Sequence, residues 1–258
     1  MIFKDKVILV TGASQNTGLT IATQFLQEGA HVLINAVDRS NLSAAFLSLQ
    51  ARFGDRVHQF AADIAEVGQV AAMFDYIDRY LGSLDILVNN ACNLGLGPSF
   101  EQLEPMDFRA VFDVNVHGTF LVSRYAVDRM RRQDTKGAIV NMGSNVSNRA
   151  IHSRAAYVAS KSAIDGLTKA MAIDLGPLGI RTNTVAPGYI YTNRWENLPN
   201  ETKDRRRKNI PIGKEATTKQ IADAVLFLAS DAASNINGTR LVVDGGCAVQ
   251  HLPIDVDH

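Results

Sequence analysis

The chain has 258 residues, and its 26 Lys and Arg residues balance 26 Asp and Glu residues, so its formal net charge at pH 7 is zero. No long-range field therefore attracts a polyanion such as nucleic acid or an acidic membrane surface. Hydrophobic residues make up 46% of the chain and charged residues 20%, a globular composition that excludes a disordered or fibrous protein.

The sequence also lacks the signals of several other chemistries and compartments. Two cysteines, Cys92 and Cys247, are too few for a disulfide framework and form no CxxC pair. The six histidines show no spacing typical of metal ligands, so we expect no metal site. The first segment has no signal-peptide core, and no apolar run is long enough to span a bilayer. These features predict a cytoplasmic protein whose partner is a small molecule, not nucleic acid or a membrane.

Short β-branched apolar runs alternate with helical patterns along the chain. The run Val7 to Val10 precedes a helical pattern from Thr17 to Glu28, and Val32 to Ile34 precedes another from Asn41 to Arg52. Such alternation predicts βαβ units and a parallel sheet. Further runs occupy residues 57–61, 86–88, 138–141, 181–185 and 241–243. The expected fold is α/β, a doubly wound sheet of about seven parallel strands with helices on both faces, formed by residues 1–258 as a single domain.

The stretch from residue 189 to residue 217 has the weakest periodicity. It contains Pro199, Pro211 and the basic run Arg205 to Lys208. We expect it to form an excursion beyond the end of a strand, where open α/β sheets bind their ligands. The basic run is typical of a solvated helix face, and an acidic carrier protein is the alternative partner for it.

A glycine-rich turn follows the first predicted strand and opens into a helix. It reads Thr11-Gly12-Ala13-Ser14-Gln15-Asn16-Thr17-Gly18. Free backbone N–H groups and the helix dipole at such a junction favour a pyrophosphate. The segment resembles the TGxxxGxG fingerprint of short-chain dehydrogenases/reductases, with Asn16 at the usual middle glycine. Asn tolerates left-handed backbone geometry better than most residues. The resemblance implies a dinucleotide cofactor held here by Gly12, Ser14, Asn16, Thr17 and Gly18.

Three later segments resemble further cofactor-binding motifs of that family. Asp63 and Ile64 follow the third predicted strand, where the family's aspartate approaches the adenine ring, and a plain helix cap is the alternative role for Asp63. The segment Asn89-Asn90-Ala91-Cys92 resembles the family's NNAG, with Cys92 in place of glycine. The remaining positions that the resemblance assigns to the cofactor are Asn90, Ala91, Pro187, Gly188, Ile190 and Thr192, the last four near the nicotinamide amide.

A tyrosine and a lysine at i, i+4 spacing begin a predicted helix, which brings the phenol of Tyr157 and the ammonium of Lys161 to one face. A neighbouring cation lowers the pKa of a phenol, as proton transfer at working pH requires. Ser144 lies thirteen residues before Tyr157, the family's spacing for the serine that hydrogen-bonds the substrate oxygen. Asn115 matches the family's structural asparagine, which holds a water in a proton relay. The four residues complete the family's tetrad in the right order, and the resemblance gives Lys161 a second role in holding the cofactor.

The resemblance spans almost the whole chain and implies a Rossmann-like fold and an NAD(P)-dependent oxidoreductase. A hydride would pass between the nicotinamide and the carbonyl or secondary alcohol of a small polar substrate, such as a sugar, polyol or hydroxy-ketone. The alternative among enzymes is a 3-oxoacyl thioester (acyl-carrier-protein) reductase. The alternative of another class is a non-catalytic dinucleotide-binding sensor. Family members are usually tetramers or dimers, which implies a homo-oligomer.

The end of the second predicted strand bears on the choice between NADP and NAD. NAD binders favour an acid there, because it accepts hydrogen bonds from the ribose and repels a 2′-phosphate. The position that matches this acid is Ala36, and the next position, often Arg in NADP binders, is Val37. The chain therefore has neither the acid nor the arginine at the matching positions. Arg39 then favours NADP, whereas Asp38 favours NAD if the loop brings it to the ribose.

By analogy with the family, the substrate pocket is expected from residues 93–99, residues 145–154 and the excursion after Thr192. Several basic and aromatic side chains in these segments predict a polar, partly cationic pocket for a hydroxylated or carboxylated ligand. Exposure to solvent or a subunit contact is the alternative for such long side chains. The side chains concerned are Arg149, His152, Arg154, Arg194 and Trp195.

Overall fold

The computed structural model describes residues 1–133 and 136–253, and within them the chain forms a seven-stranded parallel sheet and a separate two-stranded pair. The strand order of the large sheet confirms the predicted doubly wound α/β class. In chain order the strands are β1 (Val7–Val10), β2 (His31–Ala36), β3 (Val57–Ala61), β4 (Ile86–Asn89), β5 (Ala138–Met142), β6 (Arg181–Pro187), β7 (Ile190–Tyr191), β8 (Ala216–Thr217) and β9 (Arg240–Val243). The order in the large sheet is β3-β2-β1-β4-β5-β6-β9.

The same described residues form nine α-helices. The longer helices among these nine cover both faces of the sheet. The first two helices begin and end within two residues of their predicted limits, and the apolar positions of α1 are strongly periodic. The helices are α1 (Asn16–Gln27), α2 (Arg39–Phe53), α3 (Val67–Tyr80), α4 (Pro105–Phe112), α5 (Thr119–Met130), α6 (Ala155–Leu175), α7 (Asn193–Glu196), α8 (Asn200–Arg207) and α9 (Thr218–Ala229).

Two features are absent from the described ranges. No helix in residues 1–133 or 136–253 has both the length and the hydropathy that crossing a membrane requires. No group of three or more His, Cys, Asp or Glu side chains in those ranges is arranged to hold a metal ion.

Successive residues of β1 pack into two different hydrophobic cores. Ile8 and Val10 belong to the core that includes side chains of α1, α2 and α9, whereas Val7 and Leu9 belong to the core that includes α3 and α5. All four side chains are buried, since strand residues alternate between faces and helices cover both faces. Full burial of one such side chain contributes about 1.5–3 kcal/mol. The central strands are therefore a rigid base for the loops at their ends.

The carboxyl ends of the parallel strands form the edge at which the predicted site residues lie. β1 lies between β2 and β4, so the connections from β1 and β4 leave toward opposite sides of the sheet. A crevice opens at such a switch point, outside the carboxyl ends of the strands. The turns after β1, β2, β4, β5 and β6 all reach this edge.

The stretch from residue 189 to residue 217 leaves the sheet after β6 and contains two short helices. β7 pairs in parallel with β8, with Ile190 opposite Ala216 and Tyr191 opposite Thr217. This pair closes the base of the segment that carries α7 and α8. The sequence does not predict these elements, because α8 buries no residue and the strands have two residues each.

Candidate active site

The glycine-rich turn after β1 forms an anion cradle at the start of α1. A Cβ on Gly18 would lie 2.3 Å from the carbonyl oxygen of Gly12, so only glycine lets the helix approach the turn. Asn90 supports the turn by donating from Nδ2 to the carbonyl oxygens of Thr11 and Gly12, each at 2.9 Å. Gln15, the N-cap residue of α1, makes no side-chain capping bond, which leaves first-turn N–H donors available. This geometry fits a pyrophosphate.

Asn16 connects the cradle to the excursion. Its φ of +47° lies in the left-handed region, which confirms that the turn survives with Asn at this position. Its Nδ2 donates to Oδ1 of Asn193 at 3.1 Å, and the backbone N–H of Asn193 donates to Oδ1 of Asn16 at 3.4 Å. The sequence gives no signal for this contact, because the two residues are 177 positions apart.

We expect Asn16→Gly to loosen α7 without unfolding the protein. Glycine removes both side-chain contacts with Asn193 but relieves left-handed strain, so the free energy of unfolding should change by less than about 1 kcal/mol. Trypsin should then cleave after Arg194 faster than in the parent protein. Gln15→Ala keeps the contact between Asn16 and Asn193 and is the control. Equal cleavage rates in all three proteins would contradict this structural role.

Ser144, Tyr157 and Lys161 meet at the carboxyl edge of the sheet. Lys161 Nζ lies 5.7 Å from the centroid of the Tyr157 ring, on one face of α6 as the i, i+4 spacing predicts. The Ser144 hydroxyl, just after β5, lies near the Tyr157 phenol and acts to lower its pKa. Ser144 and Lys161 are buried, and Tyr157 is half-buried. The three side chains thus form one polar, charged cluster.

The pKa of Tyr157 is shifted in the direction opposite to the one expected from the neighbouring Lys161 charge. Burial raises the pKa of the Tyr157 phenol, and this outweighs the lowering by the Lys161 charge. Burial acts to lower the pKa of Lys161, but Cys92, Tyr157 and Asp165 together raise it above its usual value. The chain alone therefore holds a protonated phenol beside a protonated amine. The predicted lowering by Lys161 is present but is not the larger effect.

Cys92, which stands where the resembling motif has glycine, is a polar neighbour of Lys161. Its side chain is half-buried and acts to raise the pKa of Lys161. Its Sγ also donates to the carbonyl oxygen of Asn93 at 3.4 Å. Lys161 Nζ donates in addition to the carbonyl oxygen of Met142 at 2.7 Å. The Lys161 ammonium group is therefore held by the Met142 carbonyl oxygen and lies close to the Cys92 thiol.

Asn115 lies in a six-residue π-helical turn, Asp113–Gly118, between α4 and α5. Such turns often mark functional sites. The buried Asn115 side chain accepts from the N–H of Asn93 at 2.7 Å, and donates to the Asn93 carbonyl at 2.8 Å and to Ser160 Oγ at 3.0 Å. Ser160 Oγ donates in turn to the carbonyl oxygen of Tyr157 at 2.8 Å. Asn115 thus braces the loop after β4 against the helix that carries Tyr157.

The other residues predicted to bind the cofactor lie at strand ends, on turns that follow strands, or at the start of helices. Asp63 Oδ1 accepts from the N–H of Ala65 at 2.9 Å, which is a local turn-capping contact, and Ile64 is buried beside Gly118. Thr192 is the N-cap residue of α7 and makes no side-chain capping bond. The remaining members of the set are Ser14, Thr17, Arg39, Ala91, Pro187, Gly188 and Ile190.

A cavity of about 780 Å³ lies beside Ser144 and Tyr157. All three predicted segments contribute to it, including Leu94 and Leu96 from the loop after β4. Of the five basic and aromatic residues expected there, four line the cavity: Arg149, Arg154, Arg194 and Trp195. His152 was predicted wrongly, because its side chain is exposed and its Nδ1 lies 2.7 Å from Ser153 Oγ.

The basic run on α8 is not uniformly solvated. Arg205 is exposed, as that interpretation predicts, but Arg206 lines the cavity and stacks over the rings of Tyr189 and Trp195. Arg207 forms a bidentate pair with Glu215, with both N–O distances at 2.9 Å. Sequence reasoning missed Arg206, because nothing in the run distinguishes it from its neighbours.

The known proteins that this chain resembles are named as reductases and dehydrogenases, which agrees with the geometry of the site. The family model described as enoyl-(acyl carrier protein) reductase matches residues 12–248. The chain is 38% identical over 248 residues to D-threitol dehydrogenase of Mycolicibacterium smegmatis, covering 95% of this chain and 94% of that one. It is 40% identical over 250 residues to 2-(R)-hydroxypropyl-CoM dehydrogenase of Xanthobacter autotrophicus, covering 93% and 98%. A crystal structure assigned as a gluconate dehydrogenase of Agrobacterium tumefaciens superposes with a TM-score of 0.90 at 30% identity, covering 97% and 99%.

Proposed function

The chain belongs to the short-chain dehydrogenase/reductase family and is an oxidoreductase, and we propose that it transfers a hydride between a nicotinamide cofactor and a small polar carbonyl compound or secondary alcohol. The observation that carries the proposal is the cluster in which the Ser144 hydroxyl lies near the Tyr157 phenol and acts on its pKa, with Lys161 Nζ 5.7 Å from the centroid of the ring. This cluster lies beside a cavity large enough for a small substrate. Relatives named for threitol and hydroxypropyl-CoM support the choice of a hydroxylated substrate.

Tyr157 is the proposed proton donor in reduction and proton acceptor in oxidation. Its raised pKa keeps the proton on the phenol at neutral pH, which suits donation to a substrate oxygen. Ser144 donates a hydrogen bond to the same oxygen and orients it toward the phenol. Oxidation requires the phenolate, so its rate should rise with pH across the alkaline range.

Asn115 and Lys161 are proposed to support proton transfer at Tyr157. Lys161 supplies the positive charge that lowers the cost of forming the phenolate. Asn115 positions the loop that carries Cys92 and Asn93 through its three hydrogen bonds. Its proposed further role, holding a water that relays protons through Lys161, rests on the family resemblance.

The residues present fit a dinucleotide cofactor. The close approach of Gly18 to Gly12 and the uncapped start of α1 suit its pyrophosphate. We assign Ser14, Asn16 and Thr17 to this part. When bound, the nicotinamide supplies hydride donation or acceptance. The groups proposed to hold the rest of the cofactor are Arg39, Asp63, Ile64, Asn90, Ala91, Tyr157, Lys161, Pro187, Gly188, Ile190 and Thr192.

NADP is the proposed preferred form of the cofactor, with NAD as the alternative. β2 ends at Ala36, so no carboxylate stands at that position. Asp38 caps α2 instead: its two carboxylate oxygens accept from the backbone N–H and the Nδ2 of Asn41, both at 2.9 Å. Arg39 begins α2 and is exposed, so its charge adds to the positive end of the helix dipole. These features favour a 2′-phosphate.

We expect NADPH to bind the purified protein more tightly than NADH, and Arg39→Ala to weaken NADPH binding by about tenfold or more. The kcat of the chemical step should be unchanged, because the phosphate lies far from the nicotinamide. Arg52→Ala, an exposed position in the last turn of the same helix, is the control. Titration with both reduced cofactors measures the difference. Tighter binding of NADH would identify Asp38 as the residue that reads the ribose.

The proposed activity is tested by nicotinamide absorbance with a panel of ketones, polyols and 3-oxoacyl thioesters. Turnover of small ketones or polyols supports the proposal, and faster turnover of the thioesters would favour the acyl-carrier-protein alternative. The pairing of Arg207 with Glu215 weakens that alternative, because it reduces the free positive charge on α8. Cofactor binding without turnover of any carbonyl would favour the sensor.

A homo-oligomer, either a tetramer or a dimer, is proposed on the family resemblance. Exposed apolar side chains on two of the long helices are available for such contacts: Phe120 on α5 is 49% exposed, and Ile173 on α6 is 78% exposed. Burial of such groups against a second copy is favourable.

Residues 189–217 are proposed to contact substrate within the same single catalytic domain.

A further inference from the structure

The substrate cavity concentrates positive charge in a chain whose net charge is zero. Four arginines line it, and none of the described lining residues is Asp or Glu. Arginine pairs well with carboxylate, sulfonate and phosphate groups, because its planar donors match their oxygens. The distribution of charge therefore distinguishes this cavity from one built for a neutral polyol.

One of the four arginines is already engaged by the protein. Arg149 donates to the carbonyl oxygen of Cys247 and, at 3.3 Å, to Oδ1 of Asn209. Among the described residues, Arg154, Arg194 and Arg206 have no carboxylate within ion-pair distance. Within residues 1–133 and 136–253, Arg154 alone of these three donates to a protein oxygen, the carbonyl of Gly95 at 3.3 Å. The guanidinium groups of Arg154, Arg194 and Arg206 therefore have N–H donors available for a ligand.

Arg194 and Arg206 are close enough to Arg154 for their charges to act on it. The pKa of Arg154 is lowered by partial burial first and then by the charge of Arg194, with a further lowering by Arg206 that follows the opposing effect of Tyr157. Like charges that share a half-buried cavity raise the free energy of the empty protein. A bound anion relieves this repulsion and gains charge-assisted hydrogen bonds.

Trp195 provides a separate observation that points to a ligand. Its side chain lines the cavity and is 3% exposed, yet the indole Nε1 has no hydrogen-bond partner among the described residues. A buried donor without an acceptor is costly, and an oxygen of a bound ligand satisfies it. Arg206 stacks over this ring and over Tyr189, with 5.8 Å and 5.3 Å to the ring centroids. Stacking orders the guanidinium before any ligand arrives.

We propose that Arg154, Arg194, Arg206 and the Trp195 indole N–H form an anion subsite within the substrate cavity. The inference rests on the proposed function and assigns the substrate class: a small hydroxy or oxo compound that also carries a carboxylate, sulfonate or phosphate group. Arg154 immediately precedes α6, three residues before Tyr157, so the anionic group and the reacting carbon lie in one cavity. A short substrate spans both.

The test compares each anionic substrate with a neutral analogue of similar size. Suitable pairs are levulinate with methyl levulinate, dihydroxyacetone phosphate with dihydroxyacetone, and an oxoalkane sulfonate with the corresponding methyl sulfone. The parent enzyme should favour at least one anion in kcat/KM, and the pair with the largest ratio identifies the anionic group. Preference for the neutral member of every pair would overturn the proposal.

Arg154→Gln, Arg194→Gln and Arg206→Gln should each lower kcat/KM for the preferred anion by about 10- to 100-fold, mainly through KM. Turnover of its neutral analogue should change little. Arg205→Gln, at the exposed neighbouring position on α8, is the matched control. Arg206→Lys keeps the charge and should retain part of the preference. Equal losses for both members of a pair, or a loss confined to cofactor KM, would overturn the subsite.

A binding measurement separates failure of this inference from failure of the proposed function. Trp195 is the single tryptophan of the chain, so its fluorescence reports on the subsite without turnover. Methanesulfonate, acetate and methyl phosphate are titrated in the presence of oxidised cofactor, with acetamide as the neutral control. A saturable response to an anion that Arg206→Gln abolishes supports the subsite even if no carbonyl is reduced. The absence of any response would count against it even if neutral ketones are turned over.

Discussion

Tyr157→Phe is expected to lower kcat by about 100- to 10,000-fold while leaving the cofactor Kd nearly unchanged. The substitution removes the transferable proton and the hydroxyl near Ser144, but it keeps the ring that lies beside Lys161. Steady-state rates in both directions and a cofactor titration on the same preparation measure the two effects.

A matched substitution separates this effect from a general loss of tyrosine hydroxyls. Tyr80→Phe, on the exposed face of α3, should retain the parent rate. Retention of most of the activity in Tyr157→Phe would remove Tyr157 from the proposed mechanism. Loss of cofactor binding in that variant would show that the phenol also holds the cofactor strongly.

Lys161→Ala is expected to lower kcat and to weaken cofactor binding, each by about 10- to 100-fold. The ammonium group lowers the pKa of Tyr157, so its removal should raise that pKa further. Oxidation uses the deprotonated phenol, and its rate profile should therefore move to higher pH. Reduction uses the protonated phenol, so the higher pKa of Tyr157 should cause no additional fall in the reduction rate near neutral pH.

Lys169→Ala tests whether these effects are specific to the buried lysine. Lys169 is exposed two turns further along α6, so its removal should change neither the rate nor the pH profile. A thermal melt checks that Lys161→Ala remains folded despite the space left in the protein. An unmoved pH profile together with an unaltered cofactor Kd would contradict the double role of Lys161.

The exposed position of Arg39 and the capping role of Asp38 show how far the cofactor argument depends on tertiary detail. The sequence places both residues just after β2, but it does not say which one is free. In the structure both side chains are exposed, but both carboxylate oxygens of Asp38 already accept hydrogen bonds from Asn41. The hypothesis of NADP preference becomes sharper for that reason, and the titration tests it directly.

Local patterns in the sequence were sufficient to predict the sheet and the cluster around the phenol. The strands at 7–10 and 57–61 have the predicted limits, and for the first of them the continuous apolar run bounded by turns is a local signal. The i, i+4 spacing likewise brought Tyr157 and Lys161 to one face, since helix geometry fixes that relation. Chain order then placed Ser144 and the glycine turn at the same edge, because all strands of the sheet are parallel.

Only the tertiary structure decided the contacts between distant segments and the balance of electrostatic effects. The bonds between Asn16 and Asn193 and the stacking of Arg206 on Tyr189 and Trp195 depend on how the excursion folds back. No local periodicity encodes such contacts. The pKa of Tyr157 follows the same reasoning: the sequence supplies the neighbouring charge, but the depth of burial decides the sign of the shift, because desolvation depends on everything packed around the phenol.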